Sequence, residues 1–255
     1  MTKCQEIITF IEAIAPRELA EEWDNIGLMV GSRDAEIQRT MFCMDITSET
    51  LEEAVKNKAD LIVTHHPVIF KGLKSLTEDG VKGRLLHQLI RNHINVYSAH
   101  TNLDFAVTGV NTCLAEALGV KESVIFGKGP GRVGHLEHKT DLQDFIQQVK
   151  SILNAPFVRM VGKTEQGVQR VAVFCGSFDD DLEAVLQCGA DVVITGDLKY
   201  HTALDAVEAG LCIVDAGHFN TERVVLPALA AELVKTFPDM EVFCSLQETD
   251  PFHTY

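Results

Sequence analysis

Basic residues are scarce in this chain: 22 Lys and Arg stand against 37 Asp and Glu, a formal charge of −15 over 255 residues. Non-specific nucleic-acid binding rests on cations that neutralise phosphates. No basic run or aromatic-interleaved patch makes up the deficit, so nucleic acid is not an expected partner. Long apolar runs are missing too. The apolar stretches cover a handful of residues, too few to span a bilayer, and no basic segment leads into a long apolar one near residue 1. The expectation is a cytoplasmic protein without membrane contact. Paired cysteines are also lacking. The seven, at 4, 43, 113, 175, 188, 212 and 244, form no CxxC pair and are odd in number. Most lie in apolar segments, where a reduced thiol acts as a small hydrophobe, so disulfides and structural zinc are set aside. The glycine-rich stretch 127–134 has neither a GK[ST] ending nor GxGxxG spacing. It reads as a linker or turn, not a phosphate loop.

What is present is a chain that resembles itself. Residues 42–66 read FCMDITSETLEEAVKNKADLIVTHH, and residues 174–197 read FCGSFDDDLEAVLQCGADVVITGD. Each stretch is a strand ending in Phe-Cys, an acidic turn, a helical Leu-Glu-(Glu)-Ala-Val and a second strand after Ala-Asp. The two Phe-Cys pairs are 132 positions apart and the two Ala-Asp pairs 131, so one residue of slippage covers the alignment. A third strand follows each copy, at 94–100 and 211–218. An internal duplication is therefore expected.

The repeat sets the expected architecture. Strand, helix, strand, helix, strand is the grammar of a parallel sheet covered by helices, and short continuous apolar strands suit burial on both faces. The expected fold class is α/β, with two α/β lobes from the duplication. Each would be a three-layer sandwich with a mostly parallel sheet, and a metal site would lie in the cleft between them. The first lobe is placed at 1–126, with His65, His66 and Asp104. The second is placed at 127–255, with His218 and Glu222, its C-terminal segment a candidate to pack back on the first lobe. A composition of 46% hydrophobic residues, with mean hydropathy +0.07, can supply real cores.

A pass along the chain adds further elements. An amphipathic helix is expected over 2–15, with Ile7, Ile8, Ile11 and Ile14 as its stripe. Another spans 80–92 and buries Leu85, Leu86, Leu89 and Ile90. Gly119 should stop a helix over 110–118, and Thr140 is the cap candidate for one over 141–153. Glu222 begins or sits within the last long helix, which runs to about Lys235.

The chemistry gathers where strands end. His65 and His66 close the run Leu61, Ile62, Val63, Thr64, and Pro67 keeps a helix from starting at once. Asp104 follows the third strand of the first copy, and His218 and Glu222 follow that of the second. His218 and Glu222 are spaced i, i+4, one face of a helical turn. Ligands collect beyond the carboxyl ends of strands in open α/β sheets. Three imidazoles and two carboxylates suit zinc, manganese or iron. A bridging carboxylate would allow two divalent ions per chain, as in two-metal hydrolases.

The segments HHPVIFKG at 65–72, YSAHTNLD at 97–104, GDLKYHTA at 196–203 and DAGHFNTE at 215–222, with WDNIGLMVG at 23–31, resemble the Nif-three-like dinuclear-metal family. Its members are often named GTP cyclohydrolase I type 2 homologues. The resemblance spans nearly the whole chain. It implies that His65, His66, Asp104, His218 and Glu222 are the metal ligands. Glu222 would bridge, with His66 and Asp104 on one ion and His65 and His218 on the other. It also implies a toroidal homohexamer, in a compact form without the extra domain some members carry. The implied reaction opens the imidazole ring of GTP through a metal-held hydroxide, giving 7,8-dihydroneopterin triphosphate and formate. The expected partners are thus further copies of the chain and a small-molecule substrate such as a nucleotide.

Glu222 and His201 are the candidate catalytic residues. Lys71 and Lys199 are candidates for meeting phosphates, His100 for shuttling protons and Asn25 for reaching the cleft. Phe252 and Tyr255 are tail candidates for a subunit contact. Two other classes stay open: a hydrolase for another phosphorylated or cyclic-amide substrate, and a non-catalytic metal-binding regulator or scaffold.

Overall fold

A computed structural model describes residues 2–178 and 182–253. Tyr255 and residues 179–181 of the second acidic turn lie outside the described residues; Phe252 is exposed. The chain divides into two compact units, Met1–Ala106 with Leu226–Thr249, and Val107–Val225 with Asp250–Tyr255.

The first unit runs β1 (Thr2–Lys3), α1 (Cys4–Ile14), β2 (Gly27–Val30), β3 (Glu36–Ile37) and β4 (Arg39–Cys43). It continues with α2 (Ser48–Lys56), β5 (Leu61–Thr64), α3 (Val81–Arg91), β6 (Asn95–Ser98) and α4 (Thr101–Phe105). The second unit holds α5 (Val110–Ala117), β7 (Lys121–Ile125), β8 (Arg132–Asp141), α6 (Leu142–Leu153) and β9 (Arg159–Val161). Then come β10 (Gly167–Ser177), α7 (Leu182–Cys188), β11 (Val192–Gly196), α8 (Tyr200–Glu208), β12 (Ile213–Asp215) and α9 (His218–Glu222). The chain ends with α10 (Val225–Thr236) and β13 (Glu241–Cys244).

The sheet of the first unit is ordered β13-β4-β5-β6-β2, parallel throughout except for β2 at its edge. Because β13 lies beside β4, residues 226–249 belong to this unit. The second sheet is ordered β7-β8-β10-β11-β12-β9. Because β7 pairs with β8 there, the first stretch of unit one ends at 106 and not at 126. A mostly parallel sheet was expected in both lobes, and the second departs from it. Only β10–β11 and β11–β12 are parallel, and the other three pairings are antiparallel. The long strand β8 explains part of this: its outer half is exposed, which an antiparallel ribbon tolerates and a covered parallel strand does not.

Each sheet has a parallel centre built on one plan, β4-α2-β5-α3-β6 and β10-α7-β11-α8-β12. All residues of β5, β6, β11 and β12 are buried, so both faces of these strands are covered. In the first, Met41, Ile62 and Val96 pack with Leu51 and Ala54 of α2 and with Leu85, Leu86 and Leu89 of α3. In the second, Ala172, Val193 and Ile213 pack with Ala184 and Val185 of α7 and with Ala206 of α8.

Three local expectations need correction. Ile90 is 52% exposed, because at 100° per residue it lies roughly 90° from the centre of the Leu85, Leu86, Leu89 face. The cap of α6 is Asp141, whose carboxylate accepts the Gln143 N–H at 2.8 Å, and not Thr140. Glu222 is not in the last long helix: α9 ends there and α10 starts at Val225. Pro227, in the first turn of α10, lacks an N–H and would clash with the carbonyl four residues back, so one continuous helix is excluded. Among the described residues the cysteines form no disulfide, and no helix is long and apolar enough to cross a membrane.

Candidate metal centre

In the first unit the donors stand at the carboxyl ends of β5 and β6. His65 directly follows β5 and is buried, and its Nδ1 lies 3.0 Å from the Ala99 carbonyl. A carbonyl only accepts, so Nδ1 carries the hydrogen and Nε2 the lone pair. His66 Nδ1 lies 2.9 Å from Asp45 Oδ2, and His100 Nδ1 lies 2.9 Å from Asp24 Oδ1. The same tautomer follows for each while its carboxylate is ionised. One ring nitrogen from each of the three lies within 4.8 Å of the others. Fixing Nδ1 on an oxygen acceptor is how proteins aim Nε2 at a metal.

Asp104 sits on α4, four residues after His100, whose carbonyl accepts the Asp104 N–H at 3.1 Å. Its Oδ1 is 3.6 Å from His65 Nε2. That is long for a hydrogen bond, but near the roughly 3.3 Å between two donors sharing a tetrahedral ion at about 2.0–2.1 Å each.

Asp24 anchors this cluster from behind. Its side chain is fully buried and accepts from His100 Nδ1, from the Thr101 N–H at 3.0 Å and from the Thr101 hydroxyl at 2.6 Å. Burial works to raise its pKa. The hydrogen bonds from His100 and Thr101, with the charge of His100, outweigh that and hold it at about 2.

In the second unit the donors open and close one short helix. His218 begins α9 and Glu222 ends it, and His218 Nε2 is 3.0 Å from Glu222 Oε2. On its other side His218 Nδ1 meets Asp197 Oδ2 at 2.8 Å. Asp197 follows β11 with φ +45°, a left-handed conformation that Asp tolerates better than most residues. The Glu222 carboxylate is buried against Gly176. A Cβ at 176 would come within 2.1 Å of Glu222 Oε1 and 3.4 Å of His218 Cε1. Glycine there leaves the space in which the carboxylate lies. Oxygen and imidazole donors, oriented by second partners and at these separations, fit a divalent ion such as zinc, manganese or iron.

Other candidates from the sequence are placed less centrally. His201 is exposed in the first turn of α8, its ring 5.3 Å from that of Tyr200. Lys71 and Lys199 are exposed. Asn25 donates from Nδ2 to the Ile69 carbonyl at 2.5 Å. The sequence reading missed Asp24, Asp45, Asp197 and Gly176. A signal existed for two of them, since Asp45 and Asp197 each stand just beyond a strand end.

Comparison with known proteins supplies the remaining observation. The model of the family Duf34/NIF3 (NGG1p interacting factor 3) matches residues 2–251. A GTP cyclohydrolase 1 type 2 homolog of Clostridium perfringens is 38% identical over 258 residues, covering 98% of each chain. Among solved structures, the Staphylococcus aureus hypothetical protein SA1388 superposes with a TM-score of 0.93 at 32% identity, over 99% of each chain. Reduced HcgD from Methanocaldococcus jannaschii superposes with a TM-score of 0.82 at 34% identity, over 95% of this chain and 97% of its own.

Proposed function

The chain belongs to the Duf34/NIF3 family, and on that premise we propose that it is a dinuclear metal-dependent hydrolase of the GTP cyclohydrolase type 2 kind. His65, His66 and Asp104 of the first unit and His218 and Glu222 of the second are the ligands of two divalent ions. The observation that carries the reading is the state of the imidazoles. His65, His66 and His218 each have Nδ1 on an oxygen acceptor, the arrangement that would present Nε2 to an ion. The 3.6 Å between His65 and Asp104 favours these two as co-ligands, in place of His66 with Asp104.

Divalent ions held there would acidify a water for attack on the electrophilic ring carbon of a substrate and polarise the leaving or accepting group. The residues of the chain do the positioning. The Ala99 carbonyl, Asp45 and Asp197 hold three rings in one tautomer, and Gly176 leaves the room in which the Glu222 carboxylate would serve as a ligand. His100, backed by Asp24, stands beside His65 and His66 where a proton would be handed on. His201, exposed at the head of α8, is the second candidate for proton delivery. The matching plans of the two sheet centres support an origin by duplication, the family resemblance is the ground for a homohexamer, and the short apolar stretches are the ground for a place in the cytoplasm.

The test is metal content per chain together with formate release from GTP, after loading with zinc, manganese or iron. About two ions per chain are expected, lost together in the His65→Ala, His66→Ala double variant, with formate formed by the loaded protein. No bound ion under any loading would overturn the reading. Two ions without formate would move the assignment to a hydrolase of another phosphorylated or cyclic-amide substrate, or to a metal-binding regulator or scaffold.

A further inference from the structure

Trp23 is the one tryptophan in the chain, and it is 60% exposed. A single exposed apolar side chain needs no explanation, but Trp23 is not isolated. Its ring centroid lies 5.9 Å from that of Phe70, itself 43% exposed, and 6.1 Å from that of His100. Phe70 and His100 are 6.2 Å apart, closing a triangle of rings. Through His100 the triangle adjoins the donors of the first unit, at 5.2 Å from the His65 ring and 5.5 Å from the His66 ring.

The mount is rigid. The residue after Trp23 is Asp24, whose buried carboxylate is tied to His100 and Thr101. The next is Asn25, whose amide holds the Ile69 carbonyl beside Phe70 at 2.5 Å. One clamp therefore ties together the two backbone segments that carry the aromatic rings. Packing alone would favour turning an indole inward, where its area counts toward stability. Holding it outward on a pinned loop, at the edge of a histidine cluster, prepares a π-surface for something else. Such a surface suits a flat ring, because stacking on an aromatic face is available to any planar heteroaromatic.

We propose that the exposed face of Trp23, edged by the Phe70 ring inclined to it at 60°, forms a stacking subsite for the planar heteroaromatic ring of the substrate, a purine base, beside the imidazoles of His65, His66 and His100. This rests on the metal-dependent hydrolase reading for its choice of ring, and it adds the residues that would select that ring. In this role Trp23 and Phe70 set specificity and binding, and the donors around His65 set the chemistry.

The single tryptophan makes the test direct. Chelator-treated full-length protein is titrated with guanosine, with ribose 5-phosphate and with inorganic triphosphate, and tryptophan emission is followed. Saturable quenching by guanosine alone is expected. Trp23→Ala and Phe70→Ala should each weaken guanosine binding by calorimetry, roughly 5- to 100-fold, with unchanged circular dichroism. Unaltered emission with guanosine, or an equal response to triphosphate, would overturn the subsite. So would emission that follows protein concentration and ignores the nucleoside, since a second copy would then cover the rings. Neither metal nor turnover enters the measurement, so its failure leaves the metal reading standing. Failure of the metal reading likewise leaves the emission result interpretable.

Discussion

In the first unit Thr64 lies beside Cys43 on one flank and Ser98 on the other. In the second, Thr195 lies beside Phe174 and Asp215. Pairing the two sheet centres strand by strand therefore relates 43 to 174 and 64 to 195, a uniform step of 131 positions. On the third strand the step is 117, from 98 to 215. Core positions keep these steps: Met41 with Ala172, Ile62 with Val193, and Val96 with Ile213. So does an anchoring carboxylate. Asp60 accepts the Gln38 and Arg39 N–H groups at 2.8 and 2.9 Å, and Asp191 accepts those of Gln169 and Arg170 at 2.9 and 2.8 Å. The two Phe-Cys pairs that catch the eye in the sequence are thus one residue out of step with the ladders.

The site chemistry does not follow the shared plan. In the first unit a carboxylate after β4 meets an imidazole after β5, Asp45 with His66. In the second the equivalent pair is moved one strand along, Asp197 after β11 with His218 after β12. Gly176 stands where the first unit has Asp45, because the Glu222 carboxylate occupies that space. The comparison teaches that the strands and their anchoring carboxylates share one plan, while the donor pairs stand at different strand ends in the two units.

The largest expected effect breaks the third-strand comparison. Asp215 is buried and paired with Arg159 through Nε at 3.1 Å and through Nη2, where the first unit has the Thr64–Ser98 hydroxyl pair at 2.7 Å. Arg159→Met should cost about 2 kcal/mol in urea denaturation, since the buried carboxylate loses its charged donor and keeps only the Leu198 and Gly217 N–H groups at 3.1 and 3.0 Å. Ser98→Ala should cost about 1 kcal/mol. Next, Gly176→Ala should displace Glu222, lowering stability by roughly 2 kcal/mol and bound metal per chain with it. Asp45→Ala should leave the fold intact and weaken metal binding about 10- to 100-fold. An unchanged metal content in both would sink the assigned roles.

A third test concerns Asp24. Its folded pKa of about 2 lies below the ordinary 3.8, so its contribution is complete above about pH 4 and is lost as pH falls toward 2. The loss should be about 2 kcal/mol and should vanish from the acid limb of stability in Asp24→Asn. The smallest effects sharpen the scaffold comparison. Lys58 and His93 hold left-handed φ of +55° at the positions that Gly189 and Gly210 fill in the second unit at +67° and +75°. Lys58→Gly and His93→Gly should each raise stability by about 0.5 kcal/mol, and Gly189→Ala and Gly210→Ala should each lower it by about 1 kcal/mol.

Much of the scaffold was legible because it is written in short-range patterns. The stripe of Ile7, Ile8 and Ile11, the apolar runs of β5 and β11, and the i, i+4 spacing of His218 and Glu222 each involve neighbours within one or two turns. The break between α9 and α10 is written just as locally, in Pro227. Asp24 was not legible, since its partners His100 and Thr101 lie more than seventy residues away.

By itself the sequence determined the strands and helices of the two sheet centres, and that five metal-capable side chains follow strand ends, because periodicity and chain breaks act over a few residues. Tertiary structure alone decided the ladder register, the antiparallel flanks of the second sheet, the acceptor that fixes each imidazole and the room beside Gly176. These depend on which distant residues become neighbours. In a sheet, a slip of one residue turns every side chain to the other face, so only the packed core can choose among registers that look equally good along the chain.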